Sequence, residues 1–410
     1  MQDQVSKLRE TERATGRGAG ILTRNFVFLC VSTAFFFGSF QMMIPTLPLY
    51  IERLSGSRSS VGLIVAVFML TSIVSRPITA RLVDKGYASP MMLSGAANFV
   101  VSSLGYLLAT SVPALLFLRL FHGLGMSAFT TAGGWVLAEI APPHRRGEAS
   151  GYYGLAGNIA MASAPAIGVA VLEATNFSVL FAASATAGLM ALVLSYFIKV
   201  EKKVRPPVTT SLLVVSRTSV PPALVLIAMT IPYGAATTFV PIFAHERGIG
   251  NIGLFFAANA IASLLCRPVS GRLADVWGRQ AVILPGLIMV AAGVGSLALE
   301  PGLLGTIAAG AVMGIGAGFT LPGLLALLID NAPPNERGSA SATFYGGFDM
   351  GYALGAGVSG VLADAAGLTA PFIASALITL LGLGYFLTWA RRSSAPPPQP
   401  LSVKNTGADT

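Results

Sequence analysis

Apolar residues run along this chain in blocks of about 20, separated by short polar segments. Twelve blocks can be drawn, at approximately 25–51, 60–81, 91–110, 113–138, 149–172, 177–199, 220–243, 251–273, 281–299, 303–330, 340–363 and 369–390. A block of that length crosses a bilayer as a helix, because a helix satisfies its own backbone polar groups where there is no water. The pattern predicts an all-α integral membrane protein with 12 transmembrane helices in two pseudo-symmetric six-helix bundles. The long polar connection, 200–219, carries Lys202, Lys203, Arg205 and a Pro206-Pro207 pair, and divides a bundle at 25–199 from one at 220–390. Residues 1–24 are polar and lack the short apolar core and cleavage site of a secretory signal, so the first block is expected to stay as a helix. The Pro/Ser-rich tail, 391–410, is expected to be disordered.

The two halves share sequence. RPITARLVD, Arg76 to Asp84, matches RPVSGRLAD, Arg267 to Asp275, at five of nine positions and an offset of 191. At the same offset, Gly123-Leu124-Gly125 matches Gly314-Ile315-Gly316, and APPHRRG (Ala141–Gly147) matches APPNERG (Ala332–Gly338). Both copies of the first stretch fall between apolar blocks and read as charged loops. Such matches point to a duplicated six-span unit.

Composition agrees with a bilayer setting. The chain of 410 residues is 54% hydrophobic and only 10% charged, against roughly 25% charged in soluble domains. Its net charge of +9 raises the question of nucleic acid. The position of the charges answers it. Of 26 Lys and Arg, 22 fall on the side holding both termini, three on the opposite side, and Arg119 lies inside span 4. An excess of this kind marks the cytoplasmic face, so both termini are expected in the cytoplasm, with the chain in the cell membrane and no nucleic-acid partner. Cys30 and Cys266 fall inside apolar blocks of different halves and are expected as buried thiols. No phosphate loop, metal cluster or nucleophile triad is visible, so neither enzyme chemistry nor a cofactor is expected.

These motifs resemble the major facilitator superfamily. Its signature loop reads G-x-L-x-D-x-x-G-R, which Gly271, Leu273, Asp275, Gly278 and Arg279 match fully. The first copy keeps Leu82 and Asp84, has Ala80 for the first Gly, and loses its second half. Span 4 carries Arg119-x-x-His122-Gly123-x-Gly125, similar to R-x-x-Q-G-x-G, and span 1 ends with Pro45-x-x-Pro48, as in drug-exporting members. Ala160 to Gly168 resembles the antiporter motif in part. The resemblance implies transport of a small molecule by a monomer that rocks about a midplane site, with exchange for protons as in the 12-helix drug:proton antiporters. It also implies that Asp84 meets the start of span 11 and Asp275 the start of span 5. Helix N-termini favour carboxylates. With Arg81, Glu139, Arg146, Arg279, Asp330 and Arg337 these residues would form cytoplasmic gates, the complete second copy holding more strongly, or only set topology and cap helices.

Inside the spans, charge is scarce and therefore informative. Asp349 is the acid well inside a span, related by the repeat to Asn158. It can serve as a proton carrier, hold a cationic substrate, or bond to Tyr345 or Tyr352 one turn away. Arg119 and His122 share a face of span 4 and can sense substrate or proton state, or bond to neighbouring backbone. Gln41, Asn98, Thr130, Asn158, Asn259 and Thr320 are candidate cavity residues or helix-to-helix bonds. The leading expectation is proton-coupled efflux of small lipophilic or amphipathic molecules. Transport of a polar metabolite, and a non-transporting sensor or scaffold, remain the alternatives.

Overall fold

The computed structural model describes residues 21–55, 57–142, 145–200, 219–300, 302–331 and 337–393. Among them are helices α1 (Arg24–Met43), α2 (Arg58–Leu82), α3 (Ala88–Gly105), α4 (Val112–Ile140), α5 (Arg146–Ala174) and α6 (Phe177–Tyr196). The second half supplies α7 (Val220–Glu246), α8 (Gly253–Trp277), α9 (Gln280–Ser296), α10 (Leu303–Asn331), α11 (Arg337–Ala366) and α12 (Ala370–Ser393). No strand occurs among the described residues. Ten described stretches are long and apolar enough to cross a membrane, and one of them, Arg58–Gly105, holds both α2 and α3. The 30-residue α11 stands outside that set, being rich in Ser and Gly and carrying Asp349 and Asp364. Most of 1–24, the central connection and the tail lie outside the described residues.

Three local departures have physical causes. The first span breaks after Met43 and resumes as a short helix, Leu47–Ser55. Pro45 and Pro48 cannot continue a hydrogen-bond ladder, and Pro48 suits the first turn of a new helix. Second, Arg76 to Asp84 is not a loop. Helix α2 runs on to Leu82 and passes through a π-type turn, Val83–Tyr87, straight into α3. Gly86 takes φ +89° there, and Gly278 takes φ +84° at the end of α8. The abbreviated first copy thus keeps a left-handed glycine, a conformation that costs other residues more. Third, α3 ends at Gly105 rather than 110.

The repeat is visible in the packing. A Cβ on Gly123 would lie 2.6 Å from the Phe68 carbonyl oxygen, and one on the related Gly314 would lie 2.1 Å from that of Asn259. A Cβ on Gly95 would lie 2.8 Å from the Gly125 carbonyl oxygen, and one on Gly286 would lie 2.9 Å from that of Gly316. Thr79 bonds Ser127 at 3.1 Å, and the related Ser270 donates to the Gly318 carbonyl at 2.8 Å. Small residues let these backbones meet where lipid offers no hydrophobic drive for association.

Three apolar cores set the shape. Two belong mainly to one half each: Phe26, Phe36, Phe99 and Phe129 in the first, and Leu226, Ile283, Leu324 and Phe386 in the second. The third fuses both halves at the end remote from the termini, with Met43, Ile51 and Phe181 against Phe239, Phe243 and Phe372. Toward the other end, a Cβ added to Gly151, Gly154, Gly271 or Gly346 would meet nothing within 4 Å among the described residues. The halves are therefore joined at the end remote from the termini.

Candidate functional site

The joined end is fastened by polar bonds between the halves. Asp364, at the end of α11, caps the start of α2. It accepts from the backbone N–H groups of Arg58 and Ser59 at 3.0 and 2.8 Å, and from the Ser59 and Ser57 hydroxyls at 2.5 and 3.2 Å. Arg58 in turn donates to the Ala363 carbonyl at 3.1 Å and pairs with Glu246. The repeat-related acid does similar work across the other seam. Glu173, 191 residues before Asp364, accepts from the Asn251 N–H at 3.1 Å, just ahead of α8. Unpaired N–H groups and the helix dipole make these positions favourable for carboxylates.

The Ser59 hydroxyl, with the N–H groups of Ser59 and Arg58, holds the Asp364 carboxyl below its ordinary 3.8. A lowered carboxylate contributes fully above its ordinary value and is lost only as pH falls through the lowered one. The contribution of the Asp364 cap to closure of this end should therefore be flat between about pH 5 and 8. Labelling of a cysteine at the buried Thr46 by a membrane-impermeant thiol reagent, with Cys30 and Cys266 replaced, checks this. Asp364→Ala should increase labelling, and a midpoint near neutral pH would assign the closure to a different group.

Within the helices, Arg76 Nη2 donates to Asp349 Oδ2 at 2.6 Å. Their side chains are 33% and 15% exposed. This pair bridges α2 and α11, and hence the two halves. Arg76 lies 18 residues beyond Arg58, about 27 Å along the helix at 1.5 Å per residue. Of the partners considered for Asp349, Tyr352 is engaged elsewhere, its hydroxyl bonded to Thr237. The repeat-related positions, Arg267 and Asn158, do not allow a second such pair, because an amide carries no charge.

Arg119 and His122 sit together in a mostly aromatic pocket of the first half. His122 is fully buried, its Nδ1 bonded to the Tyr106 hydroxyl at 3.1 Å, with Phe68 and Phe99 edge-on around it. Arg119 is 3% exposed and lies over the rings of Phe68 and Tyr106, at 5.2 and 5.7 Å. Cation–π contact of this kind offsets part of the cost of burying the charge. Its Nε and Nη1, and Nε2 of His122, have no hydrogen-bond partner among the described residues.

The remaining candidates divide by their bonds. Asn98 donates to the Phe121 carbonyl at 2.9 Å, Asn259 to that of Gly310 at 3.1 Å, and Thr130 to that of Met126 at 2.7 Å. Gln41 Oε1 and Thr320 Oγ1 are buried without a partner among the described residues, and Asn158 is half-buried. Of the gate residues, Asp84 is half-buried on the π-type turn and Arg81 and Arg146 are exposed. Arg145, next to Arg146, forks onto Glu148 with two bonds of 3.0 Å. Glu139 and Arg279 are both half-buried. The side chains of Asp275, Asp330 and Arg337 lie outside the described residues.

Sequence reasoning missed Arg76 as the partner of Asp349, because it assigned Arg76 to a loop. It also missed the Asp364 and Glu173 caps, although the 191 offset relates those two acids and would have flagged them.

The family model of the Major Facilitator Superfamily matches residues 29–252 and again 223–409. The staphylopine export protein of Staphylococcus aureus is 22% identical over 93% of this chain and 99% of its own length. The multi-drug resistance efflux pump PmrA of Streptococcus pneumoniae is 30% identical over a shorter segment, 33% of this chain and 35% of its own. Among solved structures, a bacterial homologue of the human lysosomal transporter Spinster has a TM-score of 0.75 at 14% identity, covering 93% of this chain and 100% of its own. With its helical fold, apolar spans and both halves matched, the chain belongs to the Major Facilitator Superfamily and is a multi-pass membrane transporter rather than an enzyme.

Proposed function

We propose that this transporter exports small lipophilic or amphipathic molecules in exchange for protons, with Asp349 carrying the proton. The observation that carries this reading is the Arg76–Asp349 pair between the halves. With Asp349 ionised, the pair ties α2 to α11. Proton uptake removes the carboxylate charge and the attraction, so proton binding and the relative position of the halves become one equilibrium. The Lys and Arg excess supports cytoplasmic termini, and with them the fused core and the Asp364 and Glu173 caps as the closure of the outer face. Proton entry then supplies about 2.3 kcal/mol per charge per 100 mV of membrane potential. The exporters among the relatives and the scarcity of charge in the spans support an apolar or amphipathic cargo.

Proteoliposomes with an imposed pH gradient and a panel of lipophilic dyes test the proposal. The expected result is dye movement against its gradient that also dissipates the proton gradient. Folded protein that moves no dye, or moves dye without proton flow, would overturn it.

A further inference from the structure

We infer that Arg119 forms an anion subsite, so that the preferred cargo is an amphipathic molecule bearing one negative group. This rests on the transport reading above and narrows its substrate class. Arg119 is almost fully buried, yet two of its donor atoms, Nε and Nη1, meet no acceptor among the described residues. No carboxylate pairs with it there: Asp349 is taken by Arg76. A buried guanidinium without an anion is costly, and its planar fork matches a carboxylate, sulfonate or phosphate.

Arg119 also lines a cavity between the halves. Phe40, Val65, Phe68 and Met69 form its apolar wall from the first half, and Thr238 and Tyr352 contribute from the second. The volume is about 10 Å³ in this arrangement, roughly one water. Because its walls come from both halves, the space changes whenever the halves rock. The chemistry of the walls sorts a ligand: the negative group toward Arg119 and the hydrocarbon against the phenylalanines. The aromatic faces over the guanidinium stabilise its charge without neutralising it, so it stays available to a ligand. A cationic head would face uncompensated repulsion.

The test uses the purified full-length chain in detergent and three radiolabelled probes: decanoate, its methyl ester and decylamine. Decanoate should bind saturably, and the ester and amine about tenfold or more weakly. Arg119→Gln should reduce decanoate to the level of the ester, and Arg119→Lys should retain part of the preference. Equal binding of the three probes, or an unchanged preference in Arg119→Gln, would overturn the subsite. Thermal unfolding checks each variant. If Arg119→Gln does not fold, the wild-type selectivity and a weakened preference in Arg119→Lys decide the matter. Dye export in proteoliposomes separates the two readings. Export without anion preference overturns the subsite alone, and anion preference without export overturns the transport reading alone.

Discussion

Asp349→Asn should reduce pH-gradient-driven export to below about a tenth, a loss of at least 1.4 kcal/mol of coupling. The substitution removes the proton-binding group and also strands Arg76, whose carboxylate partner among the described residues is Asp349, at 2.6 Å. Stranding a charge-assisted bond in a partly buried site costs about 1.5–3 kcal/mol of stability. The two effects are separable. Arg76→Gln combined with Asp349→Asn removes both charges and should restore most of the lost stability, because no unpaired charge remains. It should not restore uphill export, because no group in the pair can exchange a proton. If the double variant recovers both thermal stability and gradient-driven export, the pair is a strut and the proton travels elsewhere. A double-mutant cycle on stability and on export gives the two coupling energies independently.

The second large effect is expected at Gly62. A Cβ there would lie 2.4 Å from the Ala356 carbonyl oxygen and 3.1 Å from the Gly357 carbonyl oxygen and the Gly360 Cα. These are backbone atoms, which cannot rotate aside. Gly62→Val must therefore push α2 away from α11 where the halves are joined. Overpacking of this kind costs about 1–3 kcal/mol, which shifts a two-state equilibrium about 5–150-fold. Spin labels at Thr175 and Leu299, both exposed and in opposite halves, should show a longer distance becoming dominant. An unchanged distance distribution, with the variant folded, would mean that this end does not part. Gly346→Ala serves as a contrast, since a Cβ there meets nothing within 4 Å among the described residues.

Much of this protein is set by local sequence. Apolar blocks about as long as a bilayer is thick fix where helices form, since the bilayer leaves the backbone no other partner. The 191-residue offset, legible in nine residues around Arg76 and Arg267, carries through to matched contacts at Gly123 and Gly314, and at Gly95 and Gly286. The apolar pattern draws the first span unbroken through Pro45 and Pro48 to 51, and only the structure shows the helix stopping at Met43. Scarce charges pointed to Arg119, His122 and Asp349 because each is costly in such surroundings.

What tertiary structure alone decided is which of these groups meet. Sequence periodicity tells a helix which face is apolar, but in a membrane both lipid and protein neighbours are apolar, so it does not say which helix a face will touch. The pairing of Arg76 with Asp349 spans 273 residues, and the cap of Asp364 on Arg58 spans 306. Neither has a local signature. The same holds for the lack of an acceptor at Nε and Nη1 of Arg119 among the described residues, since a donor is unsatisfied only relative to what the fold places around it. Nor does the sequence determine that one core joins the halves while two others belong mainly to one half each. That arrangement comes from backbone approach at Gly62, Gly360 and Gly253, which is possible because no side chain intervenes.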